Sequence, residues 1–160
     1  LEFRRVLFRS EAQQLANRRS LSQFSCRDIM SRQVLTLRAE DDIQSALEKF
    51  KQVNLMSLPV VGDLDRLVGN LALYEVVEWF KRAADPKASW ENHVYQIMNP
   101  KVVTVRPDQP IEDLVPYFVE RSFNYIPVVE NQRLIGMISR ADMIAALNQQ
   151  IHFLKEKASM

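Results

Sequence analysis

The sequence predicts an α+β fold made of two β-α-β-β-α repeats, related by a pseudo-twofold axis and packed through their sheets. Three observations carry this expectation. The chain repeats itself: offset by 68 residues, Ile29-Met30 falls on Ile97-Met98, Thr36 on Thr104, Phe50 on Phe118 and Pro59-Val60-Val61 on Pro127-Val128-Val129. Ten of the 33 positions in 29–61 are identical across that offset, far more than a shared composition produces. The apolar residues of each copy switch between strand and helix spacing in the same order. Finally, a unit of about 55–60 residues leaves one sheet face that is hard to cover alone, so two copies shielding each other is the economical solution.

The elements follow in order. Short strands are expected at Leu35-Thr36-Leu37 and Val103-Thr104-Val105. Acidic helix starts come next, where Asp41, Asp42 and Asp108 meet the positive end of the dipole and Pro110 suits a first turn. The helices carry Ile43, Leu47 and Phe50 in one copy and Ile111, Leu114, Val115 and Phe118 in the other, with Pro116 announcing a bend or a late start. Strands Ser57–Val61 and Tyr125–Val129 lead through turns to Leu67–Leu71 and Arg133–Ser139, and helices over Leu73–Ala83 and Arg140–Lys155 close the copies. After the first hairpin strand the offset falls to 67, so Leu67-Val68-Gly69 meets Leu134-Ile135-Gly136. The change sits in a polar stretch where a turn can absorb an insertion without disturbing the strand register. The expected core draws on Val60, Val61, Val68, Val128, Val129, Ile135 and Ile138.

Residues 1–10 lack an initiator Met, a cap and a clean period, and read as a non-native leader rather than a basic arm. The remaining divisions are a connecting helix over 11–25, a first repeat over 26–83, a linker over 84–93 and a second repeat with its C-terminal helix over 94–160. Twenty-one Lys+Arg against 20 Asp+Glu give a net charge of +1, which excludes a generally cationic nucleic-acid binder. One cysteine, Cys26, excludes a disulfide framework, and no Cys/His cluster spells a zinc site.

The repeated strings Asp28-Ile29-Met30-Ser31 and Gln96-Ile97-Met98-Asn99, then Leu58-Pro59-Val60-Val61 and Ile126-Pro127-Val128-Val129, and finally Leu134-Ile135-Gly136-Met137-Ile138-Ser139-Arg140-Ala141-Asp142, carry a resemblance. Over about 26–148 the chain resembles a tandem pair of cystathionine-β-synthase (CBS) domains, the arrangement called a Bateman module. A narrower resemblance, carried by Phe24-Ser25-Cys26-Arg27-Asp28-Ile29-Met30-Ser31 and Asp113-Leu114-Val115-Pro116-Tyr117-Phe118, is to the C-terminal tail of bacterial HPP-family membrane proteins. It implies a cytoplasmic module on the cytosolic face of the inner membrane, tethered to a membrane domain that this sequence does not contain.

Gly136-x-x-Ser139-x-x-Asp142 is the sharpest local signal. A helix N-terminus offers N–H groups and a positive dipole end to an anion, Ser139 adds a hydroxyl and Arg140 a cation. An ionised Asp142 accepts only, which suits a ribose diol. By family resemblance these are phosphate and ribose contacts, with adenine against Val103, Thr104, Tyr125, Ile126 and Pro127. The alternative is a capping box in which Ser139 caps the helix and Asp142 reaches back; Asp is shorter than the favoured Glu or Gln, which tilts toward a ligand. Gly136 serves either a ligand or a close backbone approach. The first repeat has Ala72, Leu73 and Glu75 at the equivalent positions, so one nucleotide site is expected, and Glu75 is read as a capping or surface residue.

The resemblance therefore implies a regulatory, non-catalytic module that senses AMP, ADP or ATP, requires no cofactor, forms a homodimer and modulates an attached effector. The competing reading is a ligand-free module for dimerisation or docking. No nucleophile–base pair supports an enzyme, and His93 and His152 have no catalytic or metal-binding context.

Overall fold

The computed structural model describes residues 24–85 and 92–160. The expected leader 1–10, the connecting helix up to residue 23 and residues 86–91 of the linker lie outside the described residues. Of the expected connecting helix, Phe24 and Ser25 are seen, and Ser25 is extended (φ −95°, ψ 165°). The elements, in order, are α1 (Cys26–Ile29), β1 (Leu37–Arg38), α2 (Ile43–Phe50), β2 (Ser57–Val61), β3 (Leu67–Ala72), α3 (Leu73–Ala83), α4 (Val94–Ile97), α5 (Val115–Val119), β4 (Tyr125–Glu130), β5 (Arg133–Ser139) and α6 (Arg140–Ala158). This mixture of helix and strand is the α+β class that the sequence predicts.

Two compact units emerge, and neither is a sequence repeat. One gathers residues 24–33, 104–130 and 135–160; the other holds 34–85, 92–103 and 131–134. Each repeat's opening segment thus folds into the unit built mainly from the other repeat.

In the second of these units, β2 is the middle strand, parallel to β1 and antiparallel to β3. Its helix α2 begins where Asp42 caps it, accepting the Ser45 N–H at 2.7 Å. Beside it, Asp41 accepts from the Arg38 N–H and the Lys49 ammonium, both at 2.9 Å. Burial pushes the Asp41 carboxyl up, but Lys49 and the Arg38 N–H outweigh it and hold the group below its usual range. Leu37, Ile43, Ala46, Leu58, Val60, Leu71 and Val94 fill the core of this unit. In the other unit Cys26, Ile111, Leu114, Ile126, Val128 and Ile138 do the same. Of the core expected from sequence, Val60, Val61, Val128 and Ile138 are buried, whereas Val68, Val129 and Ile135 are only half-buried.

The prolines set the sheet edges. A parallel rung pairs Leu37 with Val60 and another pairs Val105 with Val128, the latter made by the Val105 N–H to the Pro127 carbonyl at 3.0 Å. One rung further back, a strand partner would need an N–H on Pro59 or Pro127, which a proline lacks. The expected strand at Leu35-Thr36-Leu37 therefore shifts to Leu37–Arg38, and the one at Val103-Thr104-Val105 shrinks to a single bridge. The first hairpin is irregular close to its turn. Val60 pairs with Gly69 but Val61 with Leu67, so Val68 is a bulge inside the strand. The turns differ accordingly. Asn131 and Gln132 both have positive φ (51° and 66°), as a tight two-residue hairpin requires. The longer first turn is a 3₁₀ turn over Asp63–Asp65 with Leu64 and Asp65 left-handed.

Pro116 acts as expected. A 3₁₀ turn over Ile111–Leu114 precedes α5, and the Val115 N–H takes the Glu112 carbonyl that Pro116 could not serve.

The glycines in β3 and β5 explain the recurring Ile-Met pairs. A methyl group on Gly136 would sit 2.6 Å from Met30 Sδ and 3.0 Å from the Ser31 carbonyl. On Gly69 it would sit 2.5 Å from Met98 Sδ and 3.0 Å from the Asn99 carbonyl. Each opening segment is bonded to the strand it covers by paired backbone bonds, Ser31 with Met137 and Asn99 with Asn70. Glycine to alanine in extended backbone ordinarily stabilises slightly through the unfolded chain. Here Gly136→Ala and Gly69→Ala are each expected to lower stability by about 1–3 kcal/mol. Urea unfolding of the two variants gives the sign directly.

Candidate functional site

The site is the junction where β5 runs into α6. Ser139 is the N-cap, and its hydroxyl oxygen accepts the Asp142 N–H at 3.1 Å. Asp142 reaches back: one carboxylate oxygen accepts the Ser139 N–H at 2.8 Å and the Ser139 hydroxyl proton at 2.9 Å. The capping box is thus formed, so the shorter arm of aspartate is no argument for a ligand in its place. The aspartate arm reaches the Ser139 N–H directly, and the same oxygen also takes the Ser139 hydroxyl. Both side chains remain half-buried and Arg140 is exposed, its own N–H donating to the Asn124 carbonyl at 3.1 Å. The junction therefore presents a hydroxyl, a carboxylate and a guanidinium within four consecutive residues at the positive end of a 19-residue helix.

The other expected contacts divide. Thr104, Tyr125, Ile126 and Pro127 belong to the same compact unit as Ser139, Arg140 and Asp142, whereas Val103 falls in the other unit. Thr104 is exposed and Val103 half-buried. Tyr125 retains 7% of its surface and Ile126 none. The Ile126 side chain is core, so the expectation that it lies against a base holds at most for its backbone. Thr104 lies outside the parallel rung that Pro127 ends, and its peptide groups are not drawn into that ladder.

At the equivalent junction of the first repeat, Ala72 is the N-cap and the Glu75 carboxylate accepts the Ala72 N–H. Glu75 is a capping residue, as the sequence implied. The positions matching Ser139 and Arg140 are Ala72 and Leu73, so the N-cap has no hydroxyl and the next residue no guanidinium.

Other chemistry-bearing residues are structural. Cys26 is fully buried, and burial, followed by the nearby charges of Asp113 and Asp108, pushes its thiol up to about 12, so it is protonated at neutral pH. His93 caps α4, with Nδ1 3.1 Å from the Glu40 carbonyl oxygen and its ring stacked on Tyr95. Among the described residues no group of His, Cys, Asp and Glu could hold a metal ion, and no helix is long and apolar enough to cross a membrane. Sequence reasoning gave no role to Met30 and Met98, which cover Gly136 and Gly69; the recurrence of Ile-Met and Gly at nearly one offset was the available signal.

Two repeats of one α+β unit, each ending in a strand-to-helix junction, define a tandem-repeat module with one polar junction and one degenerate one. The family model for the CBS domain matches residues 26–82 and 94–149, and the chain belongs to that family as a tandem CBS pair. It is 28% identical over 127 residues to protein MJ1225 of Methanocaldococcus jannaschii, a match covering 79% of this chain and 44% of that one. The chain spans less than half the length of the first curated relatives it matches. Among solved structures it is similar to CBSX2 in complex with AMP, with a TM-score of 0.69, 24% identity and coverage of 79% of this chain and 97% of that one. It also resembles the CBS domain pair of protein MJ0100 in complex with 5′-methylthioadenosine and S-adenosyl-L-methionine. There the TM-score is 0.63 with 20% identity, covering 78% of this chain and 96% of that one.

Proposed function

We propose that this CBS pair is a regulatory module, not a catalyst, and that an adenosine-bearing ligand such as AMP, ADP or ATP binds at the β5–α6 junction and biases an attached effector, a membrane protein in the reading suggested by the HPP resemblance. The observation that carries the reading is the half-exposed Ser139–Asp142 pair beside the exposed Arg140 at the head of α6. Asp142 accepts from the ribose diol, while Ser139 and Arg140 meet the phosphate. Thr104 supplies backbone edges to the base, with Tyr125 and Pro127 of the same compact unit beside it. The neighbours crystallised with AMP or with S-adenosyl-L-methionine support an adenosine ligand. The ligand shifts the effector only by its differential affinity for two arrangements.

Calorimetric titration with AMP, ATP, S-adenosyl-L-methionine and adenosine tests this. AMP is expected to bind, and Arg140→Ala to weaken AMP by about 10- to 100-fold while leaving adenosine unchanged, because one charge-assisted bond is worth about 1.5–3 kcal/mol. No binding by any of the four overturns the reading.

A second reading, ligand-free dimerisation, is favoured by the exposed apolar faces of two helices: Tyr74, Val77 and Phe80 on α3, and Ile144, Leu147 and Ile151 on α6. Light scattering showing a dimer indifferent to nucleotide would select it.

A further inference from the structure

We propose that the segment 24–33 is the output arm of the ligand-binding unit, clasped to β5 and α6 so that occupancy of the junction is transmitted to this arm. The inference rests on the proposed function and names the regulation of that same site. The clasp consists of five sets of contacts in one compact unit. Ser31 and Met137 exchange two backbone bonds, each 2.9 Å, and Met137 lies two residues before Ser139. The Met30 thioether lies over Gly136, where no side chain intervenes. Cys26, Ile29 and Met30 share a core with Met143 and Ala146, which follow Asp142 on α6. At the far end of the segment the Phe24 carbonyl accepts the Ile111 N–H at 3.0 Å, and Arg27 pairs with Glu130 at 2.6 Å.

A ligand whose ribose hydroxyls donate to Asp142 and whose phosphate accepts from Ser139 reorganises a cap flanked on both sides by this clasp. The other unit carries a matching clasp, Met98 over Gly69 with Asn99 bonded to Asn70, next to a junction with Ala72 and Leu73 where the β5–α6 junction has Ser139 and Arg140. It is an internal control. Coupling between clasp and ligand is reciprocal, so loosening the clasp must weaken the ligand by the factor with which the ligand tightens the clasp.

Hydrogen exchange with and without saturating AMP, combined with AMP titration of clasp variants, decides it. AMP is expected to slow exchange of the Ser31 and Met137 amides about fivefold or more, leaving Asn70 and Asn99 within about twofold. Met30→Ala should weaken AMP by about the same factor, Met30→Leu should restore it, and Met98→Ala should leave it unchanged. If AMP binds but the Ser31 and Met137 amides do not respond, or both clasps respond alike, the coupling is overturned while the proposed function stands. If neither AMP nor the other adenosine ligands bind, both fall. Should Met30→Ala fail to fold, the exchange comparison in the unmodified protein decides alone.

Discussion

Replacing Asp142 with alanine is expected to abolish the stabilisation that AMP confers while lowering the resting stability only modestly. At about 100 times the dissociation constant a ligand adds about 2.7 kcal/mol to the folded state, and this increment should vanish in the variant. The resting loss should be about 1 kcal/mol, because Ser139 remains as the N-cap while the carboxylate's bonds to the Ser139 N–H and hydroxyl disappear. Asp142→Asn separates the two roles. The amide oxygen still reaches the Ser139 N–H, so melting without ligand should stay near that of the unmodified protein, but a neutral group that also donates serves a ribose diol less well. Thermal melts of the three proteins, each with and without millimolar AMP, read both effects. A full AMP response in Asp142→Ala, beside a lowered resting melt, would leave the carboxylate as a cap and nothing more.

The largest effects on stability should come from Leu58→Ala and Ile126→Ala. These residues occupy equivalent positions on β2 and β4, and neither has exposed surface. Each truncation removes buried methyl groups and leaves a cavity, at a cost of about 2–5 kcal/mol. Since a domain's whole stability is about 5–15 kcal/mol, either variant should lose a large part of it. Leu154→Ala is the control: that side chain is 57% exposed, and its truncation should cost under about 0.5 kcal/mol. Urea midpoints for the three variants test the ranking, and similar losses at Leu154 and Ile126 would show that α6 buries its outer face against something.

Much of this was legible from residue order. Strands β2 and β5 and helix α3 stand where periodicity puts them, because a half-buried strand and an amphipathic helix write their buried faces into the sequence. The short first strands were misplaced for a local reason: Leu35 and Thr36 have the right composition, but Pro59 denies them a partner. The bulge at Val68 was missed because it is a fact of pairing, and a β-branched residue reads the same in or out of register. The pairing of Ser31 with Met137 is made by backbone groups alone and leaves no side-chain signature beyond the bare Gly136. At the candidate site, spacing selected Ser139 and Asp142 but could not choose between a cap and a ligand contact, since the same atoms serve both. Ile126 shows the opposite failure, a residue assigned by position to the ligand whose side chain the core has claimed.

The exchange of opening segments has a consequence for any attempt to divide the chain. A fragment cut after Ala83 would carry residues 24–33 without Met137 to bond or Gly136 to cover, and would lack the Asn99 that completes its own outer strand at Asn70. A fragment beginning at Val94 would present the reverse deficit. Each would expose a raw edge matching the other's loose end, so the halves are expected to be mutual ligands rather than miniature versions of the whole. During synthesis, too, neither unit can close until sequence from the second repeat has emerged.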